Sequence, residues 1–395
     1  MKYFPRSEID TAKVLRKFTD GLMASSFTEK EKELLPKLDL NGDGTLEYTA
    51  GDVRAMENPA LASLHTLFLR EHNRIAREMK LLQPMMDDEA IYQQTRRIVI
   101  AEWQNVVFGQ FLAAMLGQDT TERMDLHPSV SSVYYPKLDP SIANSFATAA
   151  YRFGHSMIQS LFKMLVVGSS GTSDGHFELR KNFFTNTSYE LNEGQGLEEI
   201  LKGLIHQEAQ TRDRFIDDDL TKALFEINTG LASDLGARNI QRGRDHGLPS
   251  YNDFREHCNL PKACNWDSKP DELTSDTWDV LKNLYADPDD LDLFVAGLAE
   301  IPSTSGGVLG ETFKCLVLDQ FMRLKFGDRF FFTHQAVTNP STFSPDQMVL
   351  LMQRNLGEIM CDNTDLEFVK ENVFLQDSTE VPCSEAFKLN LEFFV

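Results

Sequence analysis

The stretch LDLNGDGTLEYTA, which contains residues Asp39 to Ala50, resembles a calcium-binding loop. An EF-hand loop supplies oxygen ligands from positions 1, 3 and 5, turns on a glycine at position 6 and ends in a bidentate glutamate at position 12. Asp39, Asn41, Asp43 and Gly44 match the first four requirements. Position 12 is Ala50, which has no carboxylate. Without the bidentate carboxylate, the segment is better explained as a turn rich in Gly, Asn and Asp.

Three of the nine histidines lie in surroundings that chemistry could use. His72 belongs to a helical pattern, where a structural role is the simpler interpretation. His155 follows Gly154 among small residues, so a flat ligand could approach its ring closely. His246 lies beside Asp245 and several arginines, as in a buried polar cluster. For His155 the pattern alone leaves two interpretations open, a core histidine, which is the commoner case, or a ligand.

Arg54 and Glu57 form another group of chemically capable residues, because they are three positions apart and directly precede Asn58 and Pro59. Asn58 can cap a helix, and Pro59 suits the first turn of one. The guanidinium and the carboxylate are therefore expected just before a helix start. No metalloprotease, phosphate-loop, dinucleotide-binding or nucleophilic-serine motif occurs in the chain.

The elements that must position these residues are predicted to be mainly helices. The clearest pattern places apolar residues three and four positions apart over residues 61–82. No linker, repeat or change in composition separates domains, so the sequence predicts an all-α or mainly α chain with a single large domain over residues 1–395. The best strand candidate is 162–168. Further helical patterns cover residues 87–116, 140–162, 196–210, 225–247, 306–328 and 344–360.

The chain of 395 residues is acidic, with a formal net charge of −21 and an isoelectric point of about 4.8. Such a chain repels nucleic acid and anionic membrane surfaces, so neither is an expected partner. Its apolar runs are shorter than the roughly 20 residues that span a bilayer, so no transmembrane segment is expected. The first residues lack the apolar core of a signal peptide. One glycosylation sequon begins at Asn186 and is weak evidence for secretion.

The five cysteines all lie in the C-terminal third of the chain. None forms a Cys-X-X-Cys motif, so zinc binding and thioredoxin-type chemistry have no support, and no c-type haem attachment motif occurs. This clustering suits a few disulfides in one region. The cysteines are Cys258, Cys264, Cys315, Cys361 and Cys383.

Four segments resemble, in this order, signature segments of the animal haem peroxidases: AGDVRAMENPALASLHTLFLREHNRIA, YRFGHSMIQ, ARNIQRGRDHGLPSYNDFREHC and DDLDLFVAGLAE. This is the family of myeloperoxidase, peroxidasin and peroxinectin. QFMRLKFGDRFFF and IMCDNTDLEFVKENVF extend the match, which runs from about residue 3 to the C-terminus. Six ordered segments make the resemblance specific, and it implies the helical fold of that family.

The resemblance implies roles in a haem site. His155 in RFGH matches the proximal ligand of the haem iron, and Asn239 in RNIQRGRDHG matches the residue that hydrogen-bonds the other ring nitrogen. Arg54 in GDVRAMEN matches the distal arginine, which would stabilise charge as the O–O bond of the peroxide breaks. Glu57 matches the carboxylate that forms an ester to haem b. Arg152 is a candidate partner of a haem propionate.

The resemblance also implies two disulfides, Cys258 with Cys315 and Cys361 with Cys383, and leaves Cys264 unpaired. Disulfides indicate an oxidising compartment, so an extracellular, secreted protein is expected. The implied partners are hydrogen peroxide and a small reducing substrate such as a halide, a phenol or a tyrosyl group. A partner in the extracellular matrix or on a cell surface is a further expectation.

The chain departs from the family in the distal part of the site. The family's distal histidine lies upstream of the GDVR segment, in a DHD-type motif that also brings an aspartate for a second haem ester and a calcium ligand. This chain contains no such motif, so it is expected to lack the calcium site and an upstream part of the domain, the alternative being a genuinely shortened protein. A positioned base is worth ~10²–10⁴-fold in rate, so little turnover is expected of this chain alone.

Two functions are compatible with these residues. The first is a haem-dependent peroxidase that uses hydrogen peroxide to oxidise small donors, with His155, Asn239, Arg54 and Glu57 as the remaining parts of the site. The alternative is a catalytically impaired binding or adhesion module of the extracellular space on the same fold.

Overall fold

The computed structural model describes residues 34–35, 37–38, 47–48, 50–130, 132–166, 175–185, 187–189, 191–335, 337, 339 and 341–395. The predicted mainly helical architecture is confirmed. Asp39, Asn41, Asp43 and Gly44 of the calcium-like turn lie outside the described residues, as does Asn186 of the sequon.

Helices account for most of the regular structure within the described ranges. The α-helices are α1 (Pro59–Leu82), α2 (Asp88–Val106), α3 (Leu112–Leu116), α4 (Gln118–Arg123), α5 (Asn144–Thr148), α6 (Leu191–His206), α7 (Asp218–Thr221), α8 (Glu226–Thr229), α9 (Leu235–Asp245), α10 (Tyr251–His257), α11 (Ser275–Leu284), α12 (Leu293–Ala299), α13 (Glu311–Phe326), α14 (Pro345–Gln353) and α15 (Leu356–Asn363).

Shorter turns of helix and small strand pairs connect these α-helices. A π-helical segment, Val107–Phe111, joins α2 to α3 without a break. The 3₁₀ segments are Val53–Met56, Ala150–Met157, Leu179–Lys181, Pro288–Asp290, Cys383–Glu385 and Leu391–Phe394. The strands β1 (Lys37–Leu38), β2 (Glu47–Tyr48), β3 (Leu161–Met164), β4 (Gly175–Glu178), β5 (Phe368–Lys370) and β6 (Glu380–Pro382) form three antiparallel pairs in chain order.

Helix α1 begins where the sequence predicts. Asn58 has extended backbone angles and its side chain accepts a hydrogen bond from the backbone N–H of Leu61 at 3.0 Å, which satisfies one orphan donor of the first turn. Pro59 occupies the first position, where its missing N–H costs nothing. The helix packs against α2, α6 and α15. The residues before it, Val53–Met56, are thereby fixed at its N-terminal end.

Residues Asp88–Leu116 form the one helical stretch of the described chain that is long and apolar enough to cross a membrane. Of its most apolar window, 44% is buried inside the protein, and Glu102 is completely enclosed. A helix in the core of a folded domain can pass the same test of length and apolar composition. The stretch is therefore weak evidence for a membrane span.

Three of the predicted helical patterns are wrong as continuous helices. Residues 140–162 form the short helix α5, then the 3₁₀ segment Ala150–Met157, and then the start of β3. Residues 225–247 break between α8 and α9 at Gly230, which has a φ of +70°. Residues 344–360 break at Arg354, whose extended backbone turns its side chain into a buried cluster of charges. The predicted strand over residues 162–168 is confirmed only in part: β3 covers residues 161–164, residues 165 and 166 are outside it, and residues 167 and 168 are not among the described residues.

That buried cluster joins three helices through one guanidinium. Arg354 is within 2.9 Å of carboxylate oxygens of Glu71 on α1, Glu102 on α2 and Asp362 on α15. It also donates to the backbone carbonyl of Phe387 at 3.0 Å. The side chains of Arg354, Glu71 and Glu102 are fully buried. The cluster therefore fixes the packing of α1, α2 and α15 against the C-terminal segment.

Both implied disulfides are confirmed. Cys258, which follows α10, is bonded to Cys315 on α13, and Cys361 on α15 is bonded to Cys383 after β6. Cys264 is free and exposed. Both bonds lie in the C-terminal half of the chain. The first joins cysteines 57 positions apart, and the second joins cysteines 22 positions apart.

Candidate functional site

The segment Ala150–Met157 carries His155, and its buried residues follow a period of three. Its buried residues are Ala150, Phe153 and Ser156, each three positions from the next. A 3₁₀ helix has three residues per turn, so residues at this spacing lie on one face. Here that face packs into the main core. Arg152 and His155 are also three apart, and therefore share a second face of the segment.

Asn239 on α9 faces both of these side chains. Its Nδ2 lies 2.8 Å from His155 Nδ1, and its Oδ1 accepts a hydrogen bond from Arg152 Nη1 at 2.8 Å. Asn239 is completely buried, and α9 is preceded by Asp234, whose side chain accepts a hydrogen bond from the backbone N–H of Ala237. One buried amide thus holds the histidine and the arginine together.

The arginine determines how this amide is oriented. A guanidinium has only donors, so the atom of Asn239 that faces Arg152 must be the carbonyl oxygen. The amide nitrogen then faces His155 and donates to Nδ1. Nδ1 must accept, so the ring proton of the neutral imidazole resides on Nε2. Nε2 makes no hydrogen bond with the described part of the chain.

His155 is electrically neutral at physiological pH. Burial lowers the pKa of its imidazole to about 4, and the positive charge of Arg152 acts in the same direction. A histidine that binds a metal does so in its unprotonated form, so this environment keeps the ring competent as a ligand. The ring therefore takes up a second proton only under strongly acidic conditions, whereas Nε2, the candidate ligand nitrogen, still carries the one proton of the neutral ring.

Open space and positive charge adjoin the ring. A Cβ atom added to Gly154 would meet nothing within 4 Å, so the backbone beside His155 borders a gap. Burial lowers the pKa of Arg152, and the charge of Arg242, one turn after Asn239 on α9, acts in the same direction, so the two guanidiniums lie near one another. In the described chain neither is paired with a carboxylate. A flat group with anionic arms fits such surroundings.

Arg54 lies in a separate segment and is engaged by its neighbour Asp52. The guanidinium donates Nε to Oδ1 at 2.9 Å and Nη2 to Oδ2 at 2.6 Å, and the same carboxylate caps the 3₁₀ turn through the Arg54 N–H. These contacts lower the pKa of Asp52 to about 2. The Arg54 side chain is 72% exposed. No histidine is hydrogen-bonded to this pair within the described residues.

Glu57 connects this segment to the region of α9 through two aromatic residues. The N–H of Phe184 donates to the Glu57 carbonyl at 3.0 Å, and the ring of Phe184 contacts that of Phe225 at 5.5 Å. Phe225 and Leu235, the first residue of α9, both pack against one buried cluster that contains Phe183. Phe184 and Phe225 both have positive φ, +52° and +59°, which is rare for bulky residues and is common near functional sites. Burial raises the pKa of the Glu57 carboxyl.

The structure brings together three of the five predicted site residues, His155, Asn239 and Arg152. Neither a hydrogen bond nor an ion pair joins Arg54 or Glu57 to them in the described chain. Sequence reasoning missed Arg242. The signal was available, because Asn239 and Arg242 are three residues apart on one helix and must lie on neighbouring parts of one face.

The model of the animal haem peroxidase family matches residues 7–374. The chain belongs to this family, whose name implies a haem cofactor and peroxidase chemistry. The mainly helical fold of the described chain agrees with this family assignment.

Three relatives of this chain are 31–38% identical to it over the aligned residues. Peroxidasin of Drosophila melanogaster is 38% identical over 332 residues, which cover 83% of this chain and 21% of that protein. A peroxidasin homologue of Homo sapiens is 38% identical, over 83% of this chain and 22% of its own length. Peroxidase A from Dictyostelium discoideum matches in structure with a TM-score of 0.71 and 31% identity, over 86% of this chain and 64% of that one. The chain thus spans about a fifth to a quarter of the peroxidasins that it matches.

Proposed function

We propose that this chain is the haem-binding part of a peroxidase that uses hydrogen peroxide to oxidise small donors such as halides, phenols or tyrosyl groups. The observation that carries the proposal is the buried amide of Asn239, which holds His155 beside open space with its Nε2 unpartnered. Family membership supports the same assignment. The proposed domain extends over residues 1–395.

His155 would bind the iron of haem b through Nε2, while Arg152 and Arg242 would bind its propionates. Glu57, with its raised carboxyl pKa, is the proposed residue for an ester to the haem. Bound haem would supply the redox chemistry of peroxide reduction. The residues of this chain position the group, shield it from water and provide the anion-binding charges.

Ligation through Nε2 requires the proton on that atom to leave. Asn239 can then keep donating to Nδ1 of an anionic ring, whose charge Arg152 would stabilise across the amide. Otherwise the amide must rotate and give up its hydrogen bond from Arg152. Because the arginine opposes that rotation, we favour the anionic ring, which makes His155 a strong electron donor to the iron. Since a proton is released, haem affinity is expected to rise with pH.

Arg54 is the proposed distal arginine, but its contacts with Asp52 limit its ability to stabilise charge on a bound peroxide. Its guanidinium is held by Asp52, and the described residues place no histidine in hydrogen-bonding contact with the pair. Peroxide cleavage needs a base that moves a proton between the two oxygens, worth ~10²–10⁴-fold. We therefore expect the chain by itself to bind haem and to turn over slowly.

The test is haem loading of the full-length chain. We expect a Soret band that His155→Ala abolishes or shifts to a spectrum without the histidine ligand. The control, His257→Ala, removes an exposed histidine of α10 and should change nothing. A wild-type chain that retains no haem, or an unchanged spectrum in His155→Ala, would contradict the proposal.

A second function is favoured by the engaged, exposed state of Arg54. A chain that binds haem firmly but oxidises guaiacol no faster than free haem would serve as a binding or adhesion module. We propose an extracellular location for either function, supported by the two disulfides, and a matrix or cell-surface partner for the second. Turnover well above that of free haem would exclude the module.

A further inference from the structure

An exposed serine, Ser305, contacts a buried lysine at the loop that connects α12 to α13. The ammonium of Lys314, in the first turn of α13, donates hydrogen bonds to Ser305 Oγ and to the carbonyl of Gly306, both at 2.8 Å. Lys314 is only 5% exposed, whereas Ser305 is open to solvent. A nucleophilic serine lies within such a distance of the group that activates it, and a third group orients the activator.

Two further side chains extend this contact into a line of hydrogen bonds. Ser305 Oγ is 2.8 Å from the hydroxyl oxygen of Ser303, which is buried. Ser303 Oγ is in turn 2.6 Å from Oε1 of Glu311, the first residue of α13. The line thus runs from an ammonium through two hydroxyls to a carboxylate.

The two charged ends of this line decide which way the hydroxyl protons point. An ammonium can only donate and a carboxylate can only accept. Ser303 must therefore donate its proton to Glu311, and Ser305 must donate its own proton to Ser303. One lone pair of Ser305 Oγ accepts from Lys314, and the other has no partner in the described part of the chain. That oxygen is therefore placed to attack an electrophile while its proton leaves in the opposite direction.

The loop holds its shape through its backbone. The N–H of Ser303 donates to the carbonyl of Leu309 at 2.8 Å, and the N–H of Val308 donates to the carbonyl of Met115 at 3.0 Å. Burial of a charged amine costs free energy unless it is compensated. A structural link to an exposed hydroxyl, in a loop already fixed by its backbone, is therefore a poor explanation for the buried lysine.

We propose that Ser305 is a nucleophile that accepts the acyl group of a small carboxylic ester. Its Oγ bonds to the carbonyl carbon while its proton passes to Ser303, which gives its own proton to the carboxylate of Glu311. The charge of Lys314 stabilises the attacking oxygen, and one of its three N–H groups has no partner among the described residues and is available to the carbonyl oxygen. The C–O bond of the ester then breaks, and the departing alkoxide takes back the proton by the same route.

Water completes the reaction. Its oxygen bonds to the acyl carbon as it loses a proton through Ser303 to Glu311, and the bond between Ser305 Oγ and the acyl carbon breaks. A carboxylic acid leaves, and Ser305 regains its proton. The reaction needs neither haem nor an oxidant, so it is an activity separate from the proposed peroxidase function and can fail or succeed independently of it.

Labelling of the full chain, without haem, by a fluorophosphonate probe tests whether Ser305 is nucleophilic. The serine oxygen displaces fluoride from phosphorus, so peptide mass spectrometry locates the residue that reacts. We expect label at Ser305 and none in Ser305→Ala. The matched control, Ser275→Ala, removes an exposed serine of α11 and should leave the labelling of Ser305 unchanged. Label spread over several surface serines, or label retained in Ser305→Ala, would overturn the proposal.

Two neighbouring positions test how the serine is activated. Lys314→Met and Ser303→Ala should each slow the labelling of Ser305 about tenfold or more, as loss of a proton-transfer or charge-stabilising group does. Lys282→Met, at an exposed lysine of α11, is the control for the first and should have no effect. Ser303→Thr keeps a hydroxyl in the line and should restore labelling, which a role of Ser303 in packing alone does not predict.

Hydrolysis of p-nitrophenyl acetate tests the acyl transfer itself. We expect the variants that are slow to label to be slow to hydrolyse this ester, with circular dichroism showing that each is folded. Unchanged labelling in folded Ser303→Ala, or equal slowing by alanine and threonine at this position, would contradict the proton route. A wild-type chain that hydrolyses the ester no faster than Ser305→Ala would refute the acyl transfer.

Discussion

At the scale of single residues, the amide of Asn239 controls the protonation of His155. Arg152 can only donate, so it selects the orientation in which Asn239 donates to Nδ1 and leaves the imidazole proton on Nε2. The ring's tautomer thus depends on an arginine that does not touch it. The motif RFGH and the motif RNIQRGRDHG supply these three residues from segments more than eighty positions apart.

The tautomer can be measured without haem. In the free chain we expect ¹⁵N correlation spectra to show His155 with an unprotonated Nδ1 and a protonated Nε2. Arg152→Ala removes the constraint on the amide, so a mixture of the two tautomers is expected. Arg214→Ala, which removes an arginine outside the contact, is the control. A protonated Nδ1 in the wild-type chain would disprove the orientation.

At the scale of elements, Arg354 connects α1, α2 and α15 where the helical pattern of residues 344–360 breaks. Removal of one partner from a buried ion cluster leaves uncompensated charges and typically costs about 3–5 kcal/mol. We therefore expect Arg354→Met to lower the free energy of unfolding by this amount, measured by urea denaturation. Arg96→Met, at an exposed site on α2, should change it by less than about 0.5 kcal/mol. Similar losses in both variants would contradict the role of the cluster.

Glu102 in the same cluster should make stability depend on pH. Burial, with the charge of Glu71, raises the pKa of Glu102 from its ordinary 4.5 to about 8. Between these values the folded chain binds more protons at this site than the unfolded chain, so the contribution of Glu102 to stability declines as pH rises. We expect Glu102→Gln, which mimics the protonated form, to be close to the wild type near pH 5 and more stable near pH 8.5. A parallel pH profile for both chains would exclude this coupling.

How well the sequence predicts the elements depends on local signals. Helix α1 is predictable from Asn58 and Pro59 because capping and the fixed φ of proline act within one turn. The 3₁₀ form of Ala150–Met157 is not predictable in this way. Its small residues are compatible with an α-helix or a 3₁₀ helix, and the choice depends on packing against α12 and α13. Similarly, the break at Arg354 is not predictable from local sequence, because it depends on the carboxylates of Glu71 and Glu102, which lie on two helices distant in the chain. The proposed site residues within motifs come from the resemblance and stay a prediction, whereas the hydrogen bond between Arg152 and Asn239 could be found only from the fold.

At the scale of the whole molecule, the two disulfides bear on the compartment in which the chain is stable. In the chain-entropy model a bond that closes a loop of 57 residues contributes about 4 kcal/mol, and one that closes 22 residues about 3 kcal/mol. Replacement of Cys258 and Cys315 by alanine should therefore lower the unfolding free energy more than replacement of Cys361 and Cys383. Cys264→Ala, at the free thiol, should be neutral. Equal stability with and without a reducing agent would argue against the need for an oxidising compartment.

The amide that joins Arg152 to His155 also restricts which residues can replace it. Aspartate accepts from the arginine but offers no donor to Nδ1, and serine is too short to reach both groups. Glutamine has the right atoms on a side chain one methylene longer, in a site with no exposed surface. Change at position 239 is therefore possible only together with change at position 152 or 155. Variants of this chain, natural or selected, should exchange the three residues as a set, and a library randomised at position 239 alone should return asparagine.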